Sequence, residues 1–226
     1  MLPLAGLLCV IGGIVIGRAW QMRLPLPQTV VRALYVERRG FALDKMAAKA
    51  PPGLVLLVGD SISEFAWIPS LCGRPVFNAG ISAARVRDMI RPAASLARRL
   101  SPSHIVIALG ANDARPRATG MAEFRRDYEA LLDGLGPAPK TLVGVMQLDP
   151  AHPEHGGWLN TAAVDAENRI IREIARRRDA RFVPAPLGVS TDDGIHPTAA
   201  GSRTWLAAIA RYCPTGDRPT MPAAAI

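Results

Sequence analysis

The stretch Leu54-Val55-Leu56-Leu57-Val58 runs straight into Gly59-Asp60-Ser61-Ile62-Ser63. Five aliphatic residues in a row, with no polar alternation, read as a strand buried on both faces. Gly-Asp-Ser ends that strand at a polar turn and opens a helix. A serine hydroxyl therefore stands at the carboxyl end of that strand. Pro51-Pro52-Gly53 just before it closes the preceding segment.

Working outward, four more runs are rich in strand formers: Pro75–Phe77, Ile105–Leu109, Thr141–Met146 and Arg181–Pro184. Helical patterns separate them. Met121, Phe124, Tyr128, Leu131, Leu132 and Leu135 form one apolar stripe, and Val164, Ile170, Ile171 and Ile174 form another. A last helix is expected from Pro197, with Trp205, Leu206 and Ile209 turned inward. Apolar strands alternating with amphipathic helices predict a three-layer α/β/α domain around a mostly parallel five-stranded sheet. Such sheets bind ligands beyond the carboxyl ends of their strands.

Four polar segments fall where that architecture brings them to one edge. They are Gly59-Asp60-Ser61, Asn78-Ala79-Gly80, Gly110-Ala111-Asn112-Asp113 and Asp193-Gly194-Ile195-His196. Together they offer a nucleophile, two donors for an oxyanion, and a base with a carboxylate to orient it. Ser61 is the expected nucleophile, and Ser63 a second candidate. His196 is the best base of the four histidines, and Asp193, three residues earlier, can reach its ring; the adjacent Asp192 is an alternative. Gly80 can offer a backbone N–H, Asn112 a side-chain N–H, and Ser61 its own amide. Asp60 and Asp113 are expected to brace these loops. His104 begins a strand and reads as structural. His152 and His155, in Asp149–Gly157, read as part of a loop at the substrate edge rather than as metal ligands.

This set of segments resembles the SGNH hydrolases, also called the GDSL esterase/lipase family, over roughly Leu54 to Tyr212. All four residues of the family name are matched, by Ser61, Gly80, Asn112 and His196. The first block reads Gly-Asp-Ser-Ile where the family usually has Leu, an apolar exchange. The resemblance implies a flavodoxin-like fold and a Ser61–His196–Asp193 triad. It also implies an oxyanion hole of Ser61, Gly80 and Asn112, and no metal or organic cofactor. The implied reaction is ester hydrolysis; an acetyl or short acyl ester of a small molecule or carbohydrate is expected, because no long apolar segment near the motifs suggests a fatty-acyl tunnel. Two rivals share this site: an acyltransferase passing the acyl group to a sugar or other acceptor, and an inactive binding protein. The Gly-x-Ser-x-Gly elbow of the α/β-hydrolases is absent, since Ile62 and Ser63 follow Ser61.

Composition bounds the rest. Apolar residues make up 49% and charged residues 20% of the 226, as expected of a folded domain with a sizeable core. The net charge of +8 is carried mostly by arginine scattered over several helices, and only 5% of residues are aromatic. No basic groove with stacking rings is evident, so nucleic acid is not an expected partner.

Met1 to Gly17 holds no charged side chain, and Arg18 closes it. At about 1.5 Å per residue this apolar helix nears the lower limit for crossing a bilayer. No positive residue precedes it and no small-x-small cleavage site follows, so an uncleaved anchor over residues 1–20 is expected, with membrane lipid as its partner and a signal-like segment as the alternative. Arg18, Arg23 and Arg32 after the segment place the catalytic domain in the cytoplasm, whereas many proteins of the resembled family act outside it; both sides stay open. A helical connector is expected over 21–52, the hydrolase domain over 53–213, and a tail over 214–226. Of the three cysteines, Cys72 and Cys213 can pair only in an exported domain, and spacing does not show whether they meet.

Overall fold

The computed structural model describes residues 27–116, 119–147 and 160–213. The apolar segment at residues 1–20, the loop with His152 and His155, and the tail from residue 214 lie outside them. The chain divides into Met1–Leu34 and Tyr35–Ile226. In the first unit, only the opening turns of helix α1 (Gln28–Ala47) are described. No helix among the described residues is long and apolar enough to cross a membrane.

The second unit alternates strand and helix. In chain order it holds β1 (Val55–Gly59), α2 (Ser61–Glu64), β2 (Ser70–Leu71), β3 (Arg74–Gly80), α3 (Val86–Leu100) and β4 (His104–Ala108). Then come α4 (Met121–Gly134), β5 (Lys140–Val143), α5 (Thr161–Arg177), β6 (Arg181–Val183) and α6 (Ala199–Ala210). The sheet order is β2-β3-β1-β4-β5-β6. Five strands are parallel, and β2 adds an antiparallel edge to β3. The sheet thus has six strands where the sequence pattern predicts five. The extra one is two residues long, between Pro69 and Gly73, too short to show any periodicity.

The unbroken apolar run of β1 divides by side. Leu56 and Val58 join Ile105, Ile107 and Leu142 in a core covered by Leu43 of α1, Met89 and Leu96 of α3, Phe124 and Tyr128 of α4, and Ile171 of α5. Val55 and Leu57 join Val106, Val143 and Val183 against Trp205 and Ile209 of α6. With apolar partners on both faces, a strand shows no alternation in sequence. The arginines of α5 sit on its wet side, where Arg177 and Arg178 pair with Glu129 and Asp133 of α4.

Register sets the site. Gly59 pairs with Gly80 on one side and Ala108 on the other, so β1, β3 and β4 end level. The chain after each strand leaves from the same edge of the sheet. Cys72, in the turn between β2 and β3, forms a disulfide with Cys213 beyond α6, with 5.3 Å between Cα atoms.

Candidate active site

Asp60 follows β1 and caps α2, its Oδ1 accepting the Ile62 N–H at 3.0 Å. Ser61 is the first residue of that single turn. Its Oγ lies 2.9 Å from His196 Nε2. On the other side of the ring, His196 Nδ1 lies 2.6 Å from Asp193 Oδ2. Asp193 Oδ1 accepts the backbone N–H groups of His196 at 2.7 Å and Ile195 at 3.0 Å. Burial works against the Asp193 charge, but the His196 amide and ring and the Ile195 amide outweigh it and hold the carboxyl down to about 2. An ionised carboxylate there makes Nδ1 the protonated ring nitrogen and leaves Nε2 free to accept the Ser61 proton. The Phe65 ring packs on His196, with 5.4 Å between centroids.

The alternative residues lie elsewhere. Ser63 is fully buried, its Oγ where a Cβ on Gly59 would stand. Asp192 is exposed, and its N–H donates to the His196 carbonyl rather than its side chain reaching the ring. His104 is buried, with Nε2 at 2.9 Å from Thr141 Oγ1. Among the described residues no cluster of His, Cys, Asp and Glu is arranged to hold a metal ion.

The oxyanion donors need one correction. The Gly80 N–H, expected to face the oxyanion, donates instead to Asn78 Oδ1 at 2.9 Å. Gly80 is glycine for a packing reason: a Cβ there would lie 2.4 Å from the Glu64 backbone nitrogen. Three residues on, Ala83 adopts φ +60°. That left-handed conformation costs a non-glycine residue about 1–2 kcal/mol. Its N–H donates to no group among the described residues. The flanking residues hold the turn. Ser82 donates to Glu64, and the Ala84 carbonyl accepts Asn112 Nδ2 at 3.1 Å. An amide nitrogen has two protons, so Asn112 keeps one for a ligand.

Behind these loops Asp113 accepts the Val86 N–H at 3.0 Å and the Thr119 hydroxyl at 3.1 Å, tying the loop after β4 to the start of α3. Burial pushes Asp113 up to about 6 and Asp60, which also feels the Asp113 charge, up to about 7. A cavity of about 20 Å³ adjoins the Asp60–Ile62 turn, walled by Ala108, Ala111, Val145, Met146 and Trp205. Sequence reasoning gave no role to the Asn78 side chain, which fixes the end of β3, and passed over Glu64. The only signal for Glu64 was its place one helical turn after Ser61.

A family model, the GDSL-like lipase/acylhydrolase family, matches residues 57–204. The chain belongs to that family. The family is one of lipases and acylhydrolases. The fold of this GDSL-like acylhydrolase is also that of several solved structures. A lipase/acylhydrolase from Enterococcus faecalis has a TM-score of 0.60 at 20% identity, covering 70% of this chain and 93% of that one. A carbohydrate acetylesterase from Sinorhizobium meliloti has a TM-score of 0.56 at 20% identity, covering 70% and 96%. An acetylxylan esterase variant from Geobacillus stearothermophilus has a TM-score of 0.55 at 19% identity, covering 72% and 95%. One curated relative, the 5-methyltetrahydropteroyltriglutamate–homocysteine methyltransferase of Chelativorans sp. (strain BNC1), is 28% identical over 198 residues. The match takes in 77% of this chain, which spans only 24% of that protein.

Proposed function

We propose that this GDSL-like acylhydrolase is a serine esterase that removes acetyl or other short acyl groups through an acyl-enzyme. The hydrogen-bonded series Ser61–His196–Asp193 carries the proposal. Ser61 Oγ attacks the acyl carbon while His196 Nε2 takes its proton. The oxyanion is held by the N–H groups of Ser61 and Ala83 and by Asn112 Nδ2. Each donor of this kind lowers the barrier by about 3 kcal/mol. The tetrahedral intermediate collapses as His196 returns the proton to the departing alcohol oxygen. Water then attacks the Ser61 ester, with His196 again taking and returning the proton, and the carboxylic acid leaves.

The small apolar cavity beside the Asp60–Ile62 turn adjoins the residues that flank Ser61 and is where a short acyl group would be seated. The carbohydrate esterases among the structural neighbours make O-acetylated sugars the first natural substrates to try. The buried Cys72–Cys213 disulfide favours an oxidising compartment, with the domain outside the cytoplasm and residues 1–20 as its membrane anchor. This opposes the arginines that follow the segment.

The test is a panel of acetate, butyrate and octanoate nitrophenyl esters with O-acetylated xylo-oligosaccharides. kcat/KM should fall from acetate to octanoate, and a fluorophosphonate should label Ser61. A preference for octanoate would refute the short-acyl reading.

A further inference from the structure

The mechanism gives no role to the nearly buried carboxylate of Glu64. Glu64 stands three residues after Ser61 on the same short turn, with its side chain 10% exposed. Its Oε2 accepts both the Ser82 N–H, at 2.5 Å, and the Ser82 hydroxyl, at 2.7 Å. Its Oε1 accepts the Tyr35 hydroxyl at 2.8 Å and lies 3.2 Å from Arg39 Nε. An ionised carboxylate has about four acceptor sites, and four donors meet this one. Arg39 Nε also lies 3.3 Å from the Gly80 carbonyl oxygen.

We propose that Glu64, held from behind by Tyr35 and Arg39 of α1, is the positioning residue that aims the Ala83 N–H at the oxyanion. The inference rests on the reading of Ser61, Ala83 and Asn112 given above. Ala83 sits in a conformation that alanine does not adopt unless its surroundings impose it. Three bonds impose it here, the first being the Ala84 N–H on the Ile81 carbonyl at 3.1 Å, which closes the turn around Ser82 and Ala83. Glu64 pins the Ser82 N–H on one side, and Asn112 pins the Ala84 carbonyl on the other. Because Glu64 and Ser61 share one turn, nucleophile and clamp move as a unit, and the distance between nucleophile and oxyanion donor is fixed. Tyr35 and Arg39, one turn apart on α1, lie outside the 57–204 stretch that the family model matches. A helix preceding the family module therefore supports the module's own site.

The test compares Glu64→Ala, Glu64→Gln and the pair Tyr35→Phe/Arg39→Met with wild type, and with Ser61→Ala as a control. The readouts are kcat, KM, the thermal midpoint, and the Ki of a methylboronic acid, which becomes tetrahedral on the serine. Glu64→Ala should lower kcat by roughly 10²-fold, as expected for a reacting group displaced by an ångström, with KM little changed. The boronate Ki should rise in step. Gln keeps one oxygen for Ser82, so Glu64→Gln should recover most of the activity. The α1 pair should lie between. Because the Gln variant and the α1 pair conserve volume, they decide the matter even if Glu64→Ala does not fold. Wild-type kcat and Ki in folded variants, a loss confined to KM, or Gln faring no better than Ala would overturn the clamp. Full activity in Ser61→Ala would instead overturn the reading of the site beneath it.

Discussion

Cys72 and Cys213 are 141 residues apart in sequence, and their disulfide ties the turn between β2 and β3 to the end of α6. That helix starts three residues after His196. The bond therefore closes a loop that holds β3 to β6 with Asn112, Asp193 and His196, while β1 and Ser61 lie outside it. A cross-link over such a loop stabilises by about 5 kcal/mol in the chain-entropy description. Reduction, or the paired change Cys72→Ser/Cys213→Ser, should lower the urea midpoint by a corresponding amount. Equal midpoints with and without reductant would show that the bond contributes nothing.

The nucleophile is tested by labelling. Fluorophosphonate should modify Ser61 alone, and Ser61→Ala should abolish labelling and cut turnover by several powers of ten. Ser63 is buried, with no hydrogen-bond partner among the described residues, so it should take no label. Peptide mapping that finds the adduct on Ser63 would refute the assignment.

Asn112 holds the Ala84 carbonyl and has a second proton to give. Asn112→Ala should lower kcat by about 10²–10³ with KM nearly unchanged, because the oxyanion exists only along the reaction path. A rise in KM at constant kcat would make it a substrate binder.

Asp193 and Asp192 offer a comparison between neighbours of equal charge. Asp193 touches the ring and Asp192 does not. Asp193→Asn should slow the enzyme by orders of magnitude through the wrong tautomer, and Asp192→Asn should do little. The Asp193 carboxyl is held below its unfolded value of 3.8, at about 2. Its contribution to stability is therefore complete above about pH 4 and is lost as pH falls through about 2. The wild type should lose more stability than Asp193→Asn between pH 4 and 2. Parallel acid melts of the two proteins would contradict the shift.

The sheet and the convergence of four segments could be read from apolar runs and the polar residues at their ends. The other features left no such mark. β2 is too short for a period, and a left-handed alanine looks like any other alanine. Gly80 was visible as a glycine, but where its N–H points depends on the Asn78 side chain two residues before it. Glu64 reads in sequence as a solvated helix position, because its four donors come from 18 residues ahead and from 25 and 29 residues behind. Pairing of Cys72 with Cys213 depends on how α6 returns to the edge of the sheet, which local pattern does not record.

Glu167 gives the sharpest stability test. It lies on α5 with no exposed surface, and neither carboxyl oxygen bonds a group among the described residues. Its Oε2 stands 2.9 Å from where a Cβ on Gly110 would be, so the carboxyl fills the space beneath the loop that carries Asn112. Burial, with the Asp113 charge added, pushes it from 4.5 up to about 9. The folded protein therefore keeps this proton over a range where the unfolded chain releases it. By linkage the stability is fully present below about pH 4.5, declines as pH rises, and is lost through about pH 9. Glu167→Gln mimics the neutral acid and has no proton to lose. The variant should match wild type near pH 4 and exceed it increasingly toward pH 8. Asp60 and Asp113 are raised in the same direction, so some decline should remain in the variant. The difference between the two proteins isolates Glu167. Urea melts at intervals from pH 4 to 9 measure it, and a wild-type curve parallel to that of Glu167→Gln would show that Glu167 is ionised in the folded state.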